Sequence, residues 1–228
     1  IRDRGYAVSD TDISSQKLFF LTQSTRLCLA VVYAAVPLAD FRLQQQITEL
    51  GFSEMAVYLP HPTNTQLGFF ILALPNDTAF TPQSFYTKFT QEIISYLHTY
   101  NAVSYWGISS TITAISQLYT AYEHACIALN SMSLAQNSSQ YYLWHAGLGT
   151  DIQEIQWEKK EEFLFRVEAG MTKEVCSLLT SLKDDYQSTD GLSLADVKYH
   201  YHQLTQDCLM ILKQYLNQST PSQACKIL

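Results

Sequence analysis

Residues 102–132 read AVSYWGISSTITAISQLYTAYEHACIALNSM, and the change of period inside this stretch decides the fold. Ala102–Ile108 has the length and residue types of a strand. Beyond it Ile115, Leu118, Tyr122, Ala125, Leu129 and Met132 recur three and four apart. That spacing predicts one long amphipathic helix with a buried stripe. Working outward, Leu27–Val36 is an apolar, β-branched run of strand length, and Pro37 stands where a helix can begin because its missing N–H costs nothing there. Ala39, Leu43, Ile47 and Leu50 continue that helix up to Gly51. Met55–Leu59 and Leu67–Leu74 flank the polar stretch His61-Pro62-Thr63-Asn64-Thr65, which reads as a β-hairpin. Thr81-Pro82 supplies a cap and a first-turn proline to a helix carrying Phe85, Phe89, Ile93, Tyr96 and Tyr100. Tyr141–Trp144 closes the series as a last strand.

The order strand, helix, strand, strand, helix, strand, helix, strand predicts an α/β (α+β) fold with helices covering an antiparallel or mixed sheet. Its centre is the split β-α-β arrangement of ferredoxin-like and cyclase-palm sheets. After about Gly149 the pattern becomes purely helical, which divides the chain into an α/β domain over 1–149, with an N-terminal lead-in, and a small all-helical extension over 150–228. In the extension Glu154–Val167 reads as helix and Gly170 interrupts it. Thr172 then caps a second helix with Val175, Leu178, Leu179 and Leu182. Asp190-Gly191 breaks the chain again, and Ser193 with Asp196 three residues on resembles a capping box with Asp in place of Glu. The last helix keeps Leu194, Val197, Tyr201, Leu204, Cys208, Ile211 and Tyr215 in strict three-four alternation, a heptad seam. The seam either packs on the two preceding helices in a small bundle or pairs with a second copy as a homodimer through Leu194–Tyr215.

Composition narrows the function classes. The 228 residues are 47% hydrophobic and 15% charged, the balance of a globular chain. A formal charge of −7 argues against a surface that tracks nucleic-acid phosphates. The apolar run from Leu27 stops at Pro37, well short of the ~20 residues of a membrane helix. Ile1–Asp12 carries charges of both signs and no apolar core, unlike a signal peptide, so this segment is expected to make no membrane contact. Cys28, Cys126, Cys176, Cys208 and Cys225 are odd in number and contain no C-x-x-C pair, which suits reduced thiols and a cytoplasmic location. The sequons at Asn76, Asn137 and Asn217 mean little without secretion.

No catalytic, cofactor-binding or metal-ligating set emerges. His200 and His202 lie two apart, roughly 200° around a helix, so they cannot easily chelate one ion and read as partly exposed histidines. His124 and Cys126 share that fault. His98 and His145 read as hydrogen-bonded residues at the core edge. H-E-x-x-H, G-x-S-x-G and Walker sequences are absent. Among the 15 tyrosines, Tyr105, Tyr119, Tyr122, Tyr141 and Tyr142 suit the core boundary. A stacking platform for RNA would need neighbouring cations, and Tyr100–Leu148 contains no Lys or Arg.

Trp106-Gly107-Ile108-Ser109-Ser110, followed by Leu118-Tyr119-Thr120-Ala121-Tyr122-Glu123-His124-Ala125-Cys126-Ile127-Ala128-Leu129, resembles the last strand and following helix of degenerate GGDEF-like domains. Such domains occur inside bacterial AraC-type transcription regulators, often of the two-component response-regulator type. Thr120 departs from the Ser common before the Tyr. Glu161, Leu164, Val167, Gly170 and Val175 resemble the helical region that precedes the DNA-binding domain in those proteins. Together the resemblance covers Arg26 to Leu216.

The resemblance implies a regulatory, interdomain module that relays a signal to a C-terminal helix-turn-helix domain absent from this chain, with DNA contacted only through that domain. It also implies loss of catalysis. A working diguanylate cyclase of this fold needs carboxylates after its first strand and in its hairpin to hold two divalent cations. Here the strand ends Tyr33-Ala34-Ala35-Val36 and the hairpin reads Pro62-Thr63-Asn64-Thr65-Gln66-Leu67-Gly68-Phe69. Asp40, the one acid nearby, reads as the third residue of a helix, a partner for its dipole. The expectation is therefore no enzyme and no cofactor. The alternatives are a ligand-sensing or protein-interaction module outside transcription, and an enzyme of cyclase-palm ancestry with unrecognised chemistry.

Overall fold

The computed structural model describes residues 24, 26–74, 81–134, 138–149 and 151–218. The lead-in Ile1–Asp12, the sequons at Asn76 and Asn137, and Cys225 lie outside the described residues. The chain folds into two compact units, an α/β unit of residues 1–132 with 137–149, and a helical unit of residues 133–136 with 150–228.

The α/β unit runs β1 (Leu27–Ala34), α1 (Leu43–Glu49), β2 (Ala56–Pro60), β3 (Leu67–Ala73), α2 (Pro82–His98), β4 (Ser104–Ile108), α3 (Leu118–Asn130) and β5 (Gln140–Leu143). The strands form one mixed sheet in the order β2-β3-β1-β4-β5. β1 is antiparallel to both β3 and β4, and β4 runs parallel to β5. The first four strands with α1 and α2 make the split β-α-β, ferredoxin-like sheet, and α3 provides the crossover from β4 to β5.

β1 is an unbroken apolar run because it is the central strand, covered on both faces. Cys28, Ala30, Val32 and Ala34 point into a core shared with Phe85, Phe89 and Ile93 of α2 and with Trp106. Leu27, Leu29 and Val31 point the other way, towards Ala121, Ala125 and Leu129 of α3. Helices on both sides of the sheet thus follow from the period-two alternation of one strand.

Several boundaries differ from the sequence expectation, each for a local reason. The helix after Pro37 is two pieces, a 3₁₀ turn over Leu38–Phe41 and then α1, separated by Arg42 in the left-handed region at φ 33°. The break lets Leu38, Phe41, Leu43 and Ile47 all reach the core, while Ala39 is exposed. Asp40 therefore sits in the 3₁₀ turn and is not a first-turn residue of an α-helix. Thr81 caps α2 as expected, its Oγ1 accepting from the Ser84 N–H at 3.2 Å. Ile115 belongs to a 3₁₀ turn, Ile115–Gln117, and is exposed. The contact face of α3 is made instead of Ala121, Ala125, Ala128 and Leu129, and Tyr119 faces solvent.

The helical unit contains α4 (Lys160–Glu168), α5 (Thr172–Ser188) and α6 (Leu194–Gln218). Phe163, Leu182, Tyr186, Leu192, Val197 and Leu204 form its core, with Ile155 and Trp157 packed on it. Residues 151–157 are not helical, contrary to the expected start at Glu154. Met171, not Thr172, occupies the cap of α5, and it makes no side-chain capping bond. The capping box at α6 is present and reciprocal. Asp196 Oδ2 accepts from the Ser193 N–H at 2.8 Å and hydroxyl at 2.6 Å, while Ser193 Oγ accepts from the Asp196 N–H at 3.2 Å. The heptad seam is buried only in part: Val197 and Leu204 are core, whereas Tyr201 and Tyr215 are 39% and 50% exposed. Among the described residues no helix is long and apolar enough to cross a membrane.

Candidate functional site

The resemblance to GGDEF-like domains directs attention to the end of β1 and the β2–β3 hairpin. Here the hairpin loop is closed onto the end of β1 by amides. The Ala34 N–H donates to Gln66 O at 2.9 Å, the Leu38 N–H to Thr65 O at 2.7 Å, and Gln66 Nε2 to Ala35 O at 3.0 Å. Within the loop the Asn64 side-chain oxygen accepts from the Gln66 N–H at 3.0 Å. His61 organises the turn, its Nδ1 accepting from the backbone N–H groups of Asn64 at 2.9 Å and Thr63 at 3.2 Å. Two donors on Nδ1 require that nitrogen to be unprotonated, which places the ring proton on Nε2. These contacts are made by side-chain amides, an imidazole and backbone groups, and none of them involves a carboxylate. Asp40 is exposed. Among the described residues no group of three His, Cys, Asp or Glu side chains could hold a metal ion.

The Trp106–Ser110 motif forms the junction of β1, β4 and α3. Gly107 is buried directly under α3, and a Cβ there would stand 2.0 Å from Ala125 O and 2.5 Å from Leu129 N. Only glycine permits so close an approach of helix to strand. Ser109, 3% exposed, accepts the Leu29 N–H at 2.9 Å through Oγ and donates to Ser110 O at 2.7 Å. Ser110 Oγ meets His124 Nδ1 at 2.7 Å, and the His124 ring stacks on Trp144 with centroids 3.7 Å apart and planes 11° from parallel. Trp144 is held in turn by its N–H to Ile108 O at 2.8 Å. His124 and Cys126 therefore face different partners: Cys126 bonds to Tyr122 and, with burial, pushes that phenol up to about 12. The motif closes a scaffold, with the face of its imidazole covered by an indole.

The remaining histidines separate clearly. His98 is exposed and shares Ser139 Oγ, at 2.9 Å, with the Ser104 N–H at 3.0 Å. His145 is also exposed, with Nδ1 3.3 Å from Ala146 O, so neither lies inside the core edge. His202 is exposed, but His200 is 5% exposed, a correction to the expectation of a partly exposed residue. Its Nδ1 meets the hydroxyl of buried Tyr186. Burial, and then the charge of Lys160, hold the His200 imidazole below its ordinary range, while burial raises the Tyr186 phenol, so at neutral pH both are uncharged. Asp196 loses solvation, which raises its carboxyl, but bonds from Ser193 and from the Gln153 N–H at 2.8 Å outweigh this and hold it below the usual range.

No family model matches the sequence, and neither a curated protein nor a solved structure does.

Proposed function

We propose that the chain is a non-catalytic regulatory module of a bacterial AraC-type transcription regulator of the response-regulator kind. In this reading the α/β unit is a GGDEF-like domain kept for its scaffold, and the helical unit relays a signal to a C-terminal helix-turn-helix domain outside this chain. The observation that carries the reading is the hairpin. A palm-like sheet order is combined with a loop in which His61, Asn64 and Gln66 bond the backbone where a cyclase places its acidic metal ligands. The Trp106–Ser110 motif, on which the resemblance rests, supports the same reading because its glycine and serines serve packing between β1, β4 and α3. DNA contact belongs to the domain outside the chain, consistent with the charge of −7. The C-terminal half of α6 exposes Leu209, Met210, Leu212 and Tyr215, a surface available for pairing with a second subunit. The alternative, a ligand-sensing module outside transcription, shares the absence of catalysis and differs in the domain that the helical unit leads into. The test is the reading frame past codon 228 together with footprinting of the full-length product on its own promoter region. The proposal expects a helix-turn-helix pair and a protected site; a frame encoding no DNA-binding domain contradicts it.

A further inference from the structure

The five-stranded sheet ends in two edges, β2 and β5. An edge presents main-chain N–H and C=O groups to any other strand, and folded chains either block it or fill it. β2 is blocked. The Ala73 N–H donates to Met55 O at 2.7 Å and the His61 N–H to Leu67 O at 3.2 Å, so the alternate residues Ala56, Tyr58 and Pro60 face outward. The Ala56 N–H donates to Phe52 O and the Tyr58 N–H to Gln44 Oε1, each at 2.9 Å, and Pro60 has no N–H.

β5 is open. The Trp144 N–H donates to Ile108 O at 2.8 Å, which in a parallel ladder turns Gln140, Tyr142 and Trp144 towards β4 and directs the N–H and C=O groups of Tyr141 and Leu143 outward. Among the described residues nothing bonds to these groups. The side chains of Tyr141 and Leu143 pack on the α2 side of the sheet, so what the edge offers is main chain. It also lacks the usual guards, because from His124 to Thr150 the sequence has no Asp, Glu, Lys, Arg or Pro. In a chain of net charge −7, two copies can meet along this stretch without setting like charges against each other.

We propose that β5 is an interface between two copies of this chain, paired antiparallel about a twofold axis through Tyr142 so that the two sheets become one. Such an edge is self-complementary. Tyr141 pairs with the partner's Leu143 and Leu143 with the partner's Tyr141, each pair exchanging both main-chain bonds. Tyr142 neighbours Gly107 in the sheet and so lies on the α3 face. It stands directly opposite the partner's Tyr142, in a pair without main-chain bonds and with Cα atoms about 4.5 Å apart. The inference is drawn from the α/β unit alone and rests neither on the transcriptional reading nor on the exposed surface of α6.

The experiment uses the full chain. Light scattering at roughly 100 μM should find a dimer. Tyr142→Lys and Tyr142→Glu each set like charges face to face and should weaken association at least ~10-fold, while an equimolar mixture of the two variants should restore it. Recovery in a mixture of altered subunits separates loss of pairing from loss of folding. Tyr142→Cys is made with the exposed Cys176, and Cys225, replaced by alanine. It should give a disulfide-linked dimer on mild oxidation, because a Cα separation of about 4.5 Å lies within disulfide reach. Tyr141→Cys in the same background should not, since it faces the partner's Leu143. A monomeric parent overturns the proposal and leaves the edge to a foreign strand or to none. A dimer that persists in both charge variants overturns it by placing the interface elsewhere, such as on α6. Absence of the Tyr142→Cys cross-link overturns it as well.

Discussion

Gly107→Ala is the substitution from which the structure derives the largest effect for a single methyl group. The new Cβ would lie 2.0 Å from Ala125 O, 2.5 Å from Leu129 N and 2.7 Å from Leu129 Cβ, where real Cβ contacts stay beyond 3.0 Å. The first two obstacles are backbone atoms, so no rotamer change relieves them. Instead α3 must retreat from the sheet by at least the difference of 3.0 and 2.0, that is 1.0 Å. A gap of that size forfeits roughly a quarter to a half of the dispersion attraction across the interface, which here involves Ala121, Ala125, Ala128 and Leu129, all buried. Overpacking of this kind costs typically 1–3 kcal/mol, and the backbone clash puts Gly107→Ala at about 3 kcal/mol. For a domain of this size the loss corresponds to roughly 6–12 °C in Tm. Urea and thermal melts followed by fluorescence can read it, because Trp106 is fully buried and stacked on Phe70 at 5.0 Å in the same unit. Ala125→Gly should not rescue the variant, since the obstruction is the carbonyl oxygen and not the methyl. Stability within about 0.5 kcal/mol of the parent, the range of a neutral surface change, or rescue by Ala125→Gly, would refute the packing argument.

Three further outcomes concern the helical unit. Asp196→Ala strips the acceptor from the Ser193 N–H and hydroxyl and from the Gln153 N–H, and should cost about 1–3 kcal/mol; a urea midpoint unmoved by the change would show that the capping box contributes nothing. Because the folded His200 imidazole lies below its ordinary value of 6.5, the unfolded chain takes up the proton first. This contribution to stability is complete above that value and is lost as pH falls through it towards the folded value. Urea midpoints between neutral pH and pH ~5.5 should therefore decline, less so in His200→Gln, and an identical slope in that variant would exclude His200 as the source. Leu204→Asp places a carboxylate at a residue 3% exposed and should cost at least ~3 kcal/mol, lowering helicity while Trp106 fluorescence persists. Dissociation of a dimer with helicity intact would instead favour self-pairing of α6.

The alternation of apolar residues makes the α/β unit largely readable, since β1 faces helices on both sides and the Phe85, Phe89, Ile93 spacing fixes the inner face of α2. The broken helix after Pro37 carries no comparable mark: nothing in the identity of Arg42 announces a left-handed backbone, and the break appears only when Leu38 and Phe41 must both be buried. On α3 the stripe of larger residues masks the alanines, although the small residues are what Gly107 requires of its partner helix. The extended stretch before α4 does leave a trace, because Ile155 and Trp157 are two apart, a strand period instead of a helical one. His200 is also findable. It stands three residues after Val197 and four before Leu204, on the buried stripe of α6, but a stripe drawn from apolar residues alone omits it. The juxtaposition of Trp157, Lys160 and His200 draws on three segments, which no spacing along one helix expresses.

The most direct test of the account is nucleotide turnover by the full chain. Incubated with GTP and either magnesium or manganese and followed by chromatography, it should leave the nucleotide intact, because the end of β1 and the His61–Gln66 loop present amides, an imidazole and backbone groups where hard cations need carboxylates. Metal-dependent conversion of GTP that disappears in Asp40→Ala would contradict it.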